Sequence, residues 1–342
     1  MTPRGTDWGL AALVALLGVT GMLTAFAGTH SRAWVFVAHG TAGFALALLL
    51  APKLKRVRRR LRAPHAGVVA ATVVLASLGS GLAWSSGANG ALAGYSLLAW
   101  HDSVGALLVL AVVVHAALRA KRPRRRDVAD RRQFLVAAGM AAGAIVAYEV
   151  QRPLDRALGW AGAGRRFTGS YDARGDFPVT SWVADAPRVI DPVSYRLAIA
   201  GAVRTPLELR LDEIDGGDEL TATLDCTGGF AATRPWRGAR LLDVVQRADP
   251  LRGATHVRVI SHTGYRWSYA LADARDLLLA THVANEPLSH GHGAPVRLVA
   301  PGHRGFQWVK WVVRLELADG PDPGALPSTV WSSLTPEGRG AA

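Results

Sequence analysis

Cysteine is almost absent from this sequence, since Cys226 is the only one among 342 residues. A single thiol excludes an internal disulfide framework, and it excludes zinc or iron–sulfur sites built from several cysteines. The chain also lacks a P-loop, a G-x-S-x-G elbow and a G-x-G-x-x-G after a predicted strand, so no nucleotide-binding or hydrolase motif is present. Acidic residues are scarce, at 26 against 39 basic ones. The excess positive charge indicates either a nucleic-acid partner or a membrane.

Long apolar runs dominate the first 150 residues and favour the membrane. Four of them are each about long enough to cross a bilayer as a helix, and a fifth is shorter and ends at Glu149. We therefore predict an all-α transmembrane bundle of five helices. The runs are residues 8–26, 33–50, 67–84, 98–118 and 134–148.

The loops between these runs differ sharply in charge. "APKLKRVRRRLR" carries seven basic residues and no acid, and "RAKRPRRRDVADRR" carries eight basic residues against two Asp. The loops near Thr29 and Ala88 are almost uncharged. The positive-inside rule places both basic loops in the cytoplasm, so the chain after about Gln151 is expected outside it. Because the basic runs lie at helix ends, we expect a multi-pass cell-membrane protein in contact with the lipid bilayer and no nucleic-acid partner.

The stretch "DRRQFLVAAGMAAGAIVAYEV" resembles a twin-arginine export signal. Arg131 and Arg132 precede Gln133-Phe134-Leu135 and a modest apolar run, although Asp130 and Val136 depart from the usual pattern. A plain positive-inside flank remains the alternative. We expect a four-helix membrane domain at 1–120, then a basic loop with this signal and the fifth helix at 121–150.

Three histidines lie within or at the ends of the apolar runs, where ionisable residues indicate function. His39 falls early in the second run, and His101 and His115 begin and end the fourth. His39 and His101 are expected at similar depth near the outer surface, where two imidazoles can ligate one haem iron. The region resembles cytochrome b561-like bundles, which implies haem b. His115 has only His65 as a partner for a second haem, and hydrogen bonding across helices remains the alternative for all three histidines.

The pattern changes after Tyr171 to short β-rich runs. These are "YRLAIAGAV", "LTATLDC", "HVRVISHT", "VRLVAP" and "WVVRLEL", with helical candidates "ARLLDVVQRA" and "LADARDLLL" between them. We predict an α+β domain of mostly antiparallel strands at residues 170–318. A linker at 151–169 precedes it and a flexible tail at 319–342 follows it.

Three stretches of this domain resemble the oxidoreductase molybdopterin-binding domain of the sulfite oxidase family. "FPVTSW" precedes "RLAIAGAVRTPLELRLDEI", "LDCTGGFAATRPWRGARLLDVV" resembles the family's cysteine loop, and "HGAPVRLVAPGHRGFQWVKWVVRLEL" resembles its closing signature. The resemblance implies a sulfite-oxidase-like fold that binds Mo-molybdopterin. It also implies that Cys226 ligates molybdenum through its thiolate, because metal coordination holds a thiol deprotonated. A small buried hydrophobe is the alternative reading of Cys226.

The same resemblance implies a set of groups that contact the pterin and its phosphate. Arginine and lysine suit phosphate by charge, and His292 stands where some relatives have Asn, which also offers a donor. Structural roles, such as pairing with a carboxylate, remain the alternative for each of them. The implied cofactor-binding residues are Thr180, Ser181, Ser261, His292, Arg297, Trp308, Val309 and Lys310.

One departure from the family concerns the substrate. Ala231 stands where sulfite-oxidising relatives have an anion-binding arginine, whereas Arg234 follows three residues later. We expect Arg234 and Arg304 to serve as catalytic groups with Cys226, in a basic pocket that Arg237 and His303 could also line. The overall plan resembles the periplasmic protein-methionine-sulfoxide reductases more than the sulfite-oxidising members.

These features predict a membrane-anchored molybdenum oxidoreductase that transfers an oxygen atom. The substrate would be an S-oxide or N-oxide, protein methionine sulfoxide included, or a small molecule to be oxidised. Electrons would pass through haem b, to or from quinone or quinol. The alternative is a pterin-binding electron-transfer or assembly module in which the helices serve only as an anchor.

Overall fold

A computed structural model of the chain describes residues 2–57, 66–119, 131–180, 185–214 and 216–339. The chain divides into two compact units, Met1–Asp172 and Ala173–Ala342. The first unit is helical and the second is built mainly from two β-sheets. The division at residue 172 lies close to residue 170, where the sequence pattern changes.

The helical unit contains five long helices among the described residues. Pro3 starts the first one, and the Thr2 side chain caps it by accepting a hydrogen bond from the Gly5 backbone N–H. A two-stranded hairpin, β1 (Ala91–Leu92) and β2 (Tyr95–Ser96), precedes the fourth helix, and the short strand β3 (Tyr171–Asp172) ends the unit. The helices are α1 (Pro3–Thr24), α2 (Trp34–Val57), α3 (Ala66–Ser85), α4 (Leu97–Arg119) and α5 (Arg131–Ala157).

Four stretches in the described part of the unit are long and apolar enough to cross a membrane. The apolar part of α3, Ala71–Ser85, is shorter than that requirement. The prediction of five crossing helices is therefore supported for four of them. The four stretches are Pro3–Thr24, His30–Arg56, Leu97–Ala117 and Arg131–Ala157.

Small residues and aliphatic side chains pack these helices together. Val14, Leu46 and Leu108 form a buried cluster between α1, α2 and α4. Gly40 on α2 lies against the Tyr148 ring of α5, where an added Cβ would be only 2.5 Å from a ring carbon. Large apolar side chains such as Phe134, which is 69% exposed, point away from the bundle. An apolar outer surface is what a helix in lipid requires.

The second unit is organised around two sheets. In one sheet, β6 (Asp218–Asp225) and β10 (Leu278–Val283) both pair antiparallel with the long strand β7 (Phe230–Arg240). The strands β11 (Glu286–Pro287) and β12 (Arg297–Val299) pair antiparallel with β10. The alternating burial of β6 reflects one face packed on the core.

The other sheet has five strands in the order β5, β4, β13, β8, β9. The pair β4–β13 is parallel and its other pairs are antiparallel, in agreement with the predicted mostly antiparallel α+β domain. Val257, Val259 and Leu315 are fully buried in its core. Its strands are β4 (Leu197–Gly201), β5 (Leu207–Leu209), β8 (His256–Ser261), β9 (Arg266–Ala270) and β13 (Val312–Ala318).

Two short helices complete the domain, and both change the sequence-based picture. The stretch predicted as a helix at 239–248 forms only α6 (Leu241–Gln246), because its first residues finish β7. The tail expected to be flexible forms α7 (Ala325–Trp331) and the 3₁₀ turn Ser332–Leu334. This tail is ordered because its hydroxyl groups bind buried partners, as when Ser328 accepts a hydrogen bond from the Arg266 backbone.

Candidate functional site

Cys226 lies in the tight turn that joins β6 to β7. Its backbone N–H donates to the Phe230 carbonyl at 2.8 Å, and the Gly229 N–H donates to the Cys226 carbonyl at 3.0 Å. Gly229 has a φ of 98°, a conformation that favours glycine. The Cys226 sulfur accepts a hydrogen bond from the Gly228 N–H at 3.3 Å, and the residue is 8% exposed. The turn thus holds the thiol at the end of a hairpin with a donor already directed at the sulfur.

The Cys226 loop is held from behind by a buried ion pair. Arg304 donates to the Asp225 carboxylate at 2.7 Å and to the Cys226 carbonyl at 3.3 Å. Both side chains of the pair are nearly inaccessible, at 5% and 4% exposed. Gly305 packs so closely that an added Cβ would lie 3.0 Å from the Cys226 Cα. Arg304 therefore supports the loop instead of presenting its guanidinium to a substrate, which differs from the predicted catalytic role.

Arg234 is also placed differently from the sequence-based expectation. Its guanidinium is exposed and donates to the backbone carbonyls of Arg174, Gly175 and Asp176 at 2.8–3.0 Å. It further donates to the Thr233 carbonyl at 3.0 Å. The side chain fastens residues 174–176 to β7, so its forked donors are occupied by the protein itself.

Residues 174–180, which we name the strap, run from Arg234 to the Cys226 sulfur. At the far end of the strap, the Thr180 hydroxyl lies 3.7 Å from the sulfur. In the middle, Phe177 stacks on the His292 ring with centroids 4.1 Å apart, and His292 Nε2 donates to the Phe177 carbonyl at 3.0 Å. Lys310 Nζ donates to the Thr180 carbonyl at 2.5 Å. Three basic side chains thus fix the strap beside the thiol.

His292 is held as a neutral imidazole. Because Nε2 donates to a carbonyl, Nδ1 accepts from the Ser289 hydroxyl at 2.8 Å. Burial lowers the pKa of His292 below its usual 6.5, and the nearby cations Arg297 and Lys310 lower it further. Both ring nitrogens are therefore engaged within the protein, and His292 positions the strap.

Arg297 is the residue whose surroundings call most clearly for a bound anion. It is 1% exposed, and its guanidinium carbon lies 5.1 Å from the Trp236 ring and 5.7 Å from the Trp308 ring. One guanidinium nitrogen donates to the His292 carbonyl at 3.1 Å, whereas Nε is buried with no partner. Burial lowers its pKa to about 10, against an opposing effect of Cys226. A buried cation with an unused donor is costly unless a ligand completes its hydrogen bonds.

Lys310 lines a cavity of about 270 Å³ that adjoins the Cys226 sulfur through Thr180. The pKa of Lys310 is lowered to about 7, chiefly by burial and then by the nearby Arg297, against the opposing effects of Cys226 and Asp185. Its ammonium also donates to the Gly291 carbonyl at 2.5 Å, which leaves a third N–H for a ligand. The cavity is lined by Val179, Thr180, Asp185, Ala186, Pro187, His290, Gly291, Lys310 and Trp311.

The remaining predicted cofactor residues do not line this cavity. The buried hydroxyl of Ser261 accepts from the Thr263 hydroxyl at 3.2 Å, in the turn after β8. The Trp308 indole N–H donates to the His303 carbonyl, and the Val309 carbonyl accepts from the Leu298 N–H. Ser181 lies outside the described residues. These groups support the walls around Arg297 and Lys310.

Asp185 and His290 line the cavity, although the sequence-based prediction did not include them. Asp185 is 7% exposed and accepts hydrogen bonds from the hydroxyls of Ser332 and Ser333. Burial raises the pKa of Asp185, and those hydroxyls and Lys310 oppose the rise. The only sequence signal for His290 was its place in "HGH", and Asp185 gave none because its partners lie some 150 residues away in the chain.

The helical unit contains a second arrangement of interest, a pair of facing histidines. His39 on α2 and His101 on α4 have ring centroids 6.1 Å apart and planes at 89°. The Thr20 hydroxyl contacts His39 Nδ1 at 3.0 Å, and the Ser77 carbonyl contacts His101 Nδ1 at 3.0 Å. An added Cβ on Gly81 would lie 2.7 Å from the His101 ring. The Nδ1 contacts fix the rings so that the two Nε2 atoms remain for another ligand.

The donor set suits a molybdenum–pterin cofactor better than a metal held by protein alone. Within the described ranges, no group of three or more His, Cys, Asp or Glu residues could hold a metal ion. A single thiolate at Cys226, the unused donor of Arg297 and the open donor of Lys310 instead match a group that brings its own sulfur ligands and an anionic tail. His115, predicted as a further haem ligand, is exposed on α4, and its proposed partner His65 lies outside the described residues.

Comparisons with known proteins agree with this chemistry. Residues 183–326 match the family described as "Oxidoreductase molybdopterin binding domain". The chain is 29% identical to the protein-methionine-sulfoxide reductase catalytic subunit of Gluconobacter oxydans over 46% of this chain and 56% of that protein. It is 34% identical to mitochondrial sulfite oxidase of Macaca fascicularis over 37% of this chain and 30% of that enzyme.

The similarity is confined to part of each protein. Among solved structures, the sulfane dehydrogenase SoxCD of Paracoccus pantotrophus is similar at 25% identity, with a TM-score of 0.38 over 40% of this chain and 41% of that one. The matched part spans 56% or less of the two curated relatives. Residues 183–326, within the C-terminal unit, therefore match a molybdopterin-binding oxidoreductase domain and are similar to the corresponding part of these two relatives.

Proposed function

We propose that this protein is a membrane-anchored, molybdopterin-dependent oxidoreductase that transfers an oxygen atom. Cys226 would ligate the molybdenum, and Arg297 and Lys310 would hold the anionic parts of the pterin. The proposal rests on the arrangement around the single cysteine. Its thiol is buried in a fixed turn and lies beside a cavity that contains an unused lysine donor. The cofactor supplies the oxygen-atom transfer chemistry, and the protein supplies orientation and charge.

The residues nearest the sulfur favour a neutral substrate. Ala231 stands where sulfite-oxidising relatives have an arginine, and the guanidinium of Arg234 is occupied by backbone carbonyls. Arg304 is engaged by Asp225 in a buried pair. Both arginines donate through their terminal nitrogens to groups of the protein itself, so we propose an S-oxide or N-oxide, methionine sulfoxide in a protein included. The similarity to a protein-methionine-sulfoxide reductase subunit supports the same choice.

Reduction of such a substrate balances with a quinol as the reductant. A sulfoxide R₂SO takes up two electrons and two protons, the S–O bond breaks, and the products are R₂S and water. A quinol supplies both electrons and both protons as it is oxidised to quinone.

We further propose that the helical unit carries electrons through haem b held by His39 and His101. Metal–imidazole bonds of roughly 2 Å on both sides of one iron would separate the two ring centres by roughly 6 Å. The observed 6.1 Å supports this assignment, as does the fixing of both Nδ1 atoms by hydrogen bonds. In this proposal all five helices, α3 included, cross the cell membrane, and the twin-arginine-like start of α5 directs the following domain to the extracytoplasmic side.

Elemental analysis tests this function directly. Wild type and the Cys226→Ser variant would be purified in detergent from cells supplied with molybdate, and the molybdenum per chain would be measured. We expect close to one molybdenum in wild type, a several-fold lower content in the variant, and reduction of methionine sulfoxide only by wild type. Equal loading with equal activity would remove Cys226 from the site. Molybdenum without turnover would favour a pterin-binding electron-transfer or assembly module.

A further inference from the structure

Two of the residues that line the cavity next to Lys310, His290 and Asp185, carry acceptor atoms that the proposed function does not use. His290 Nε2 lies 2.9 Å from the Pro187 carbonyl, and because a carbonyl can only accept, Nε2 must donate. In the neutral imidazole, Nδ1 is then an acceptor, and it is buried with no hydrogen-bond partner. A buried acceptor without a donor costs free energy unless a ligand supplies one.

Asp185 provides the second acceptor in the same cavity. Its Oδ1 atom accepts from the hydroxyls of Ser332 and Ser333 at 3.2 and 2.6 Å, and Oδ2 from Ser332 at 3.3 Å. A carboxylate has about four lone-pair sites, so acceptor capacity remains after these contacts. The hydroxyls come from the C-terminal segment, and the Ala186 N–H donates to the Gly338 carbonyl at 2.8 Å. The tail therefore fixes Asp185 in the cavity wall.

The chemistry of this wall determines which part of a cofactor it can accept. A carboxylate and a neutral imidazole nitrogen repel a phosphate, and they attract N–H groups. Val179, Pro187 and the Trp311 ring supply apolar surface beside them, which suits a flat heteroaromatic ring. The aminopyrimidinone ring of a pterin is flat, and its edge carries an exocyclic amine and a ring N–H, both of which are donors.

We propose that Asp185 and His290 form an acceptor pair that recognises the aminopyrimidinone edge of the pterin, with Asp185 positioned by Ser332 and Ser333. The proposal rests on the proposed function, because it requires that the domain binds molybdopterin. The C-terminal segment then has a role in holding the cofactor. The last part of this segment lies beyond the matched residues 183–326. The anionic tail would be held by Arg297 and Lys310, as in the proposed function.

The test measures how fast pterin leaves the purified holoprotein. Wild type would be compared with Asp185→Asn, His290→Leu, His290→Asn and the double variant Ser332→Ala/Ser333→Ala. Released pterin is followed by its fluorescence after oxidation, and molybdenum is measured in parallel. Asparagine at 290 places an amide oxygen near the former Nδ1 position, so it can retain the acceptor that leucine removes. His256→Leu is the matched control, since that histidine bonds only Thr255 at a strand end.

We expect pterin release about tenfold faster from the Asp185→Asn and His290→Leu variants, since each leaves one buried donor of the ligand unpaired. His290→Asn and His256→Leu should stay near the wild-type rate, and the serine double variant should lie between the two groups. Thermal unfolding of each cofactor-free variant identifies any change that merely disrupts the fold. Wild-type release rates in both Asp185→Asn and His290→Leu would overturn the proposal, and so would an altered substrate KM with unchanged release. Wild type without any pterin would instead refute the proposed function.

Discussion

At the scale of single residues, the buried ion pair of Arg304 and Asp225 holds the Cys226 loop in position. Arg304 bonds the carboxylate of the residue before Cys226 and the carbonyl of Cys226 itself. Both charges are removed from water, so neither is tolerable without the other. The pair therefore fixes the position of the thiol through the backbone, without contact with the sulfur.

Replacing Arg304 by Met should destabilise the C-terminal domain by about 3–5 kcal/mol, because the Asp225 carboxylate would remain buried without its partner. Chemical unfolding of the purified cofactor-free protein, followed by circular dichroism of the β-sheet signal, provides the measurement. Arg258→Met is the matched control, because Arg258 pairs with Glu316 at 27% exposure and should cost under about 1 kcal/mol. Equal losses in both variants would contradict the structural role given to Arg304.

The neutral state of His292 predicts a response to acid. Between its lowered pKa and the unfolded value of 6.5, the folded protein binds fewer protons at His292 than the unfolded chain does. The free energy of unfolding should therefore fall as the pH drops through 6.5, and the contribution should be complete above that value. His292→Asn keeps a donor for Phe177 and cannot titrate, so its unfolding temperature should fall less between pH 7.5 and 5. Parallel pH profiles for wild type and variant would contradict this account.

The residues of the site differ in how far a sequence can predict them. Cys226 could be identified because it is unique and its flanking glycines and tryptophan form a motif. The role of Arg234 could not be predicted from the sequence. The direction of its side chain depends on where the strap passes β7, and this contact joins residues some 60 positions apart in the chain. Asp185 was missed for the same reason, since it becomes part of the site only when the C-terminal serines fold against it.

At the scale of elements, the strap and β7 are the least predictable parts of the fold. The run from Phe230 to Arg240 contains Pro235 and three arginines, so it lacks an alternating apolar pattern, yet it pairs with both β6 and β10. Tertiary pairing decides its structure, and local propensity does not. By contrast, the strands β4, β6, β8 and β13 coincide closely with predicted β-rich runs because their buried faces alternate.

Arg234→Ala should loosen the strap without unfolding the domain. The substitution removes the donors to the carbonyls of residues 174–176, so amide hydrogen exchange in residues 175–179 should rise severalfold. Arg240→Ala, on the same strand, removes a single bond to the Glu219 carbonyl and serves as the control. If exchange in the strap is the same in both variants, Arg234 does not hold it.

At the scale of the whole molecule, the chain joins a helical unit suited to lipid and a domain built around one thiol. Composition and helix length were sufficient to predict the first unit, because an apolar surface in lipid needs little specific packing information. The sequence made the fifth run the shortest, whereas in the described structure α3 has the shortest apolar part, Ala71–Ser85. The pairing of His39 with His101 followed from their equal depth along two helices.

The histidine pair predicts a haem b spectrum that one substitution removes. His39→Leu and His101→Leu should each abolish the absorption of a six-coordinate haem in purified protein, because each removes one of the two facing imidazoles. The molybdenum content should remain unchanged, since it depends on the other unit. His115→Leu, an exposed histidine on the same helix as His101, should retain the haem absorption. If the wild-type protein contains no haem, the helices serve only as a membrane anchor.

We expect the Cys226 sulfur to be a ligand of the molybdenum. X-ray absorption at the molybdenum edge of the purified holoprotein measures the sulfur neighbours of the metal, and the same spectrum would be recorded for any metal retained by Cys226→Ser. We predict that the variant shows one sulfur neighbour fewer than wild type, with an oxygen in its place. Identical sulfur coordination in the two proteins would contradict the claim.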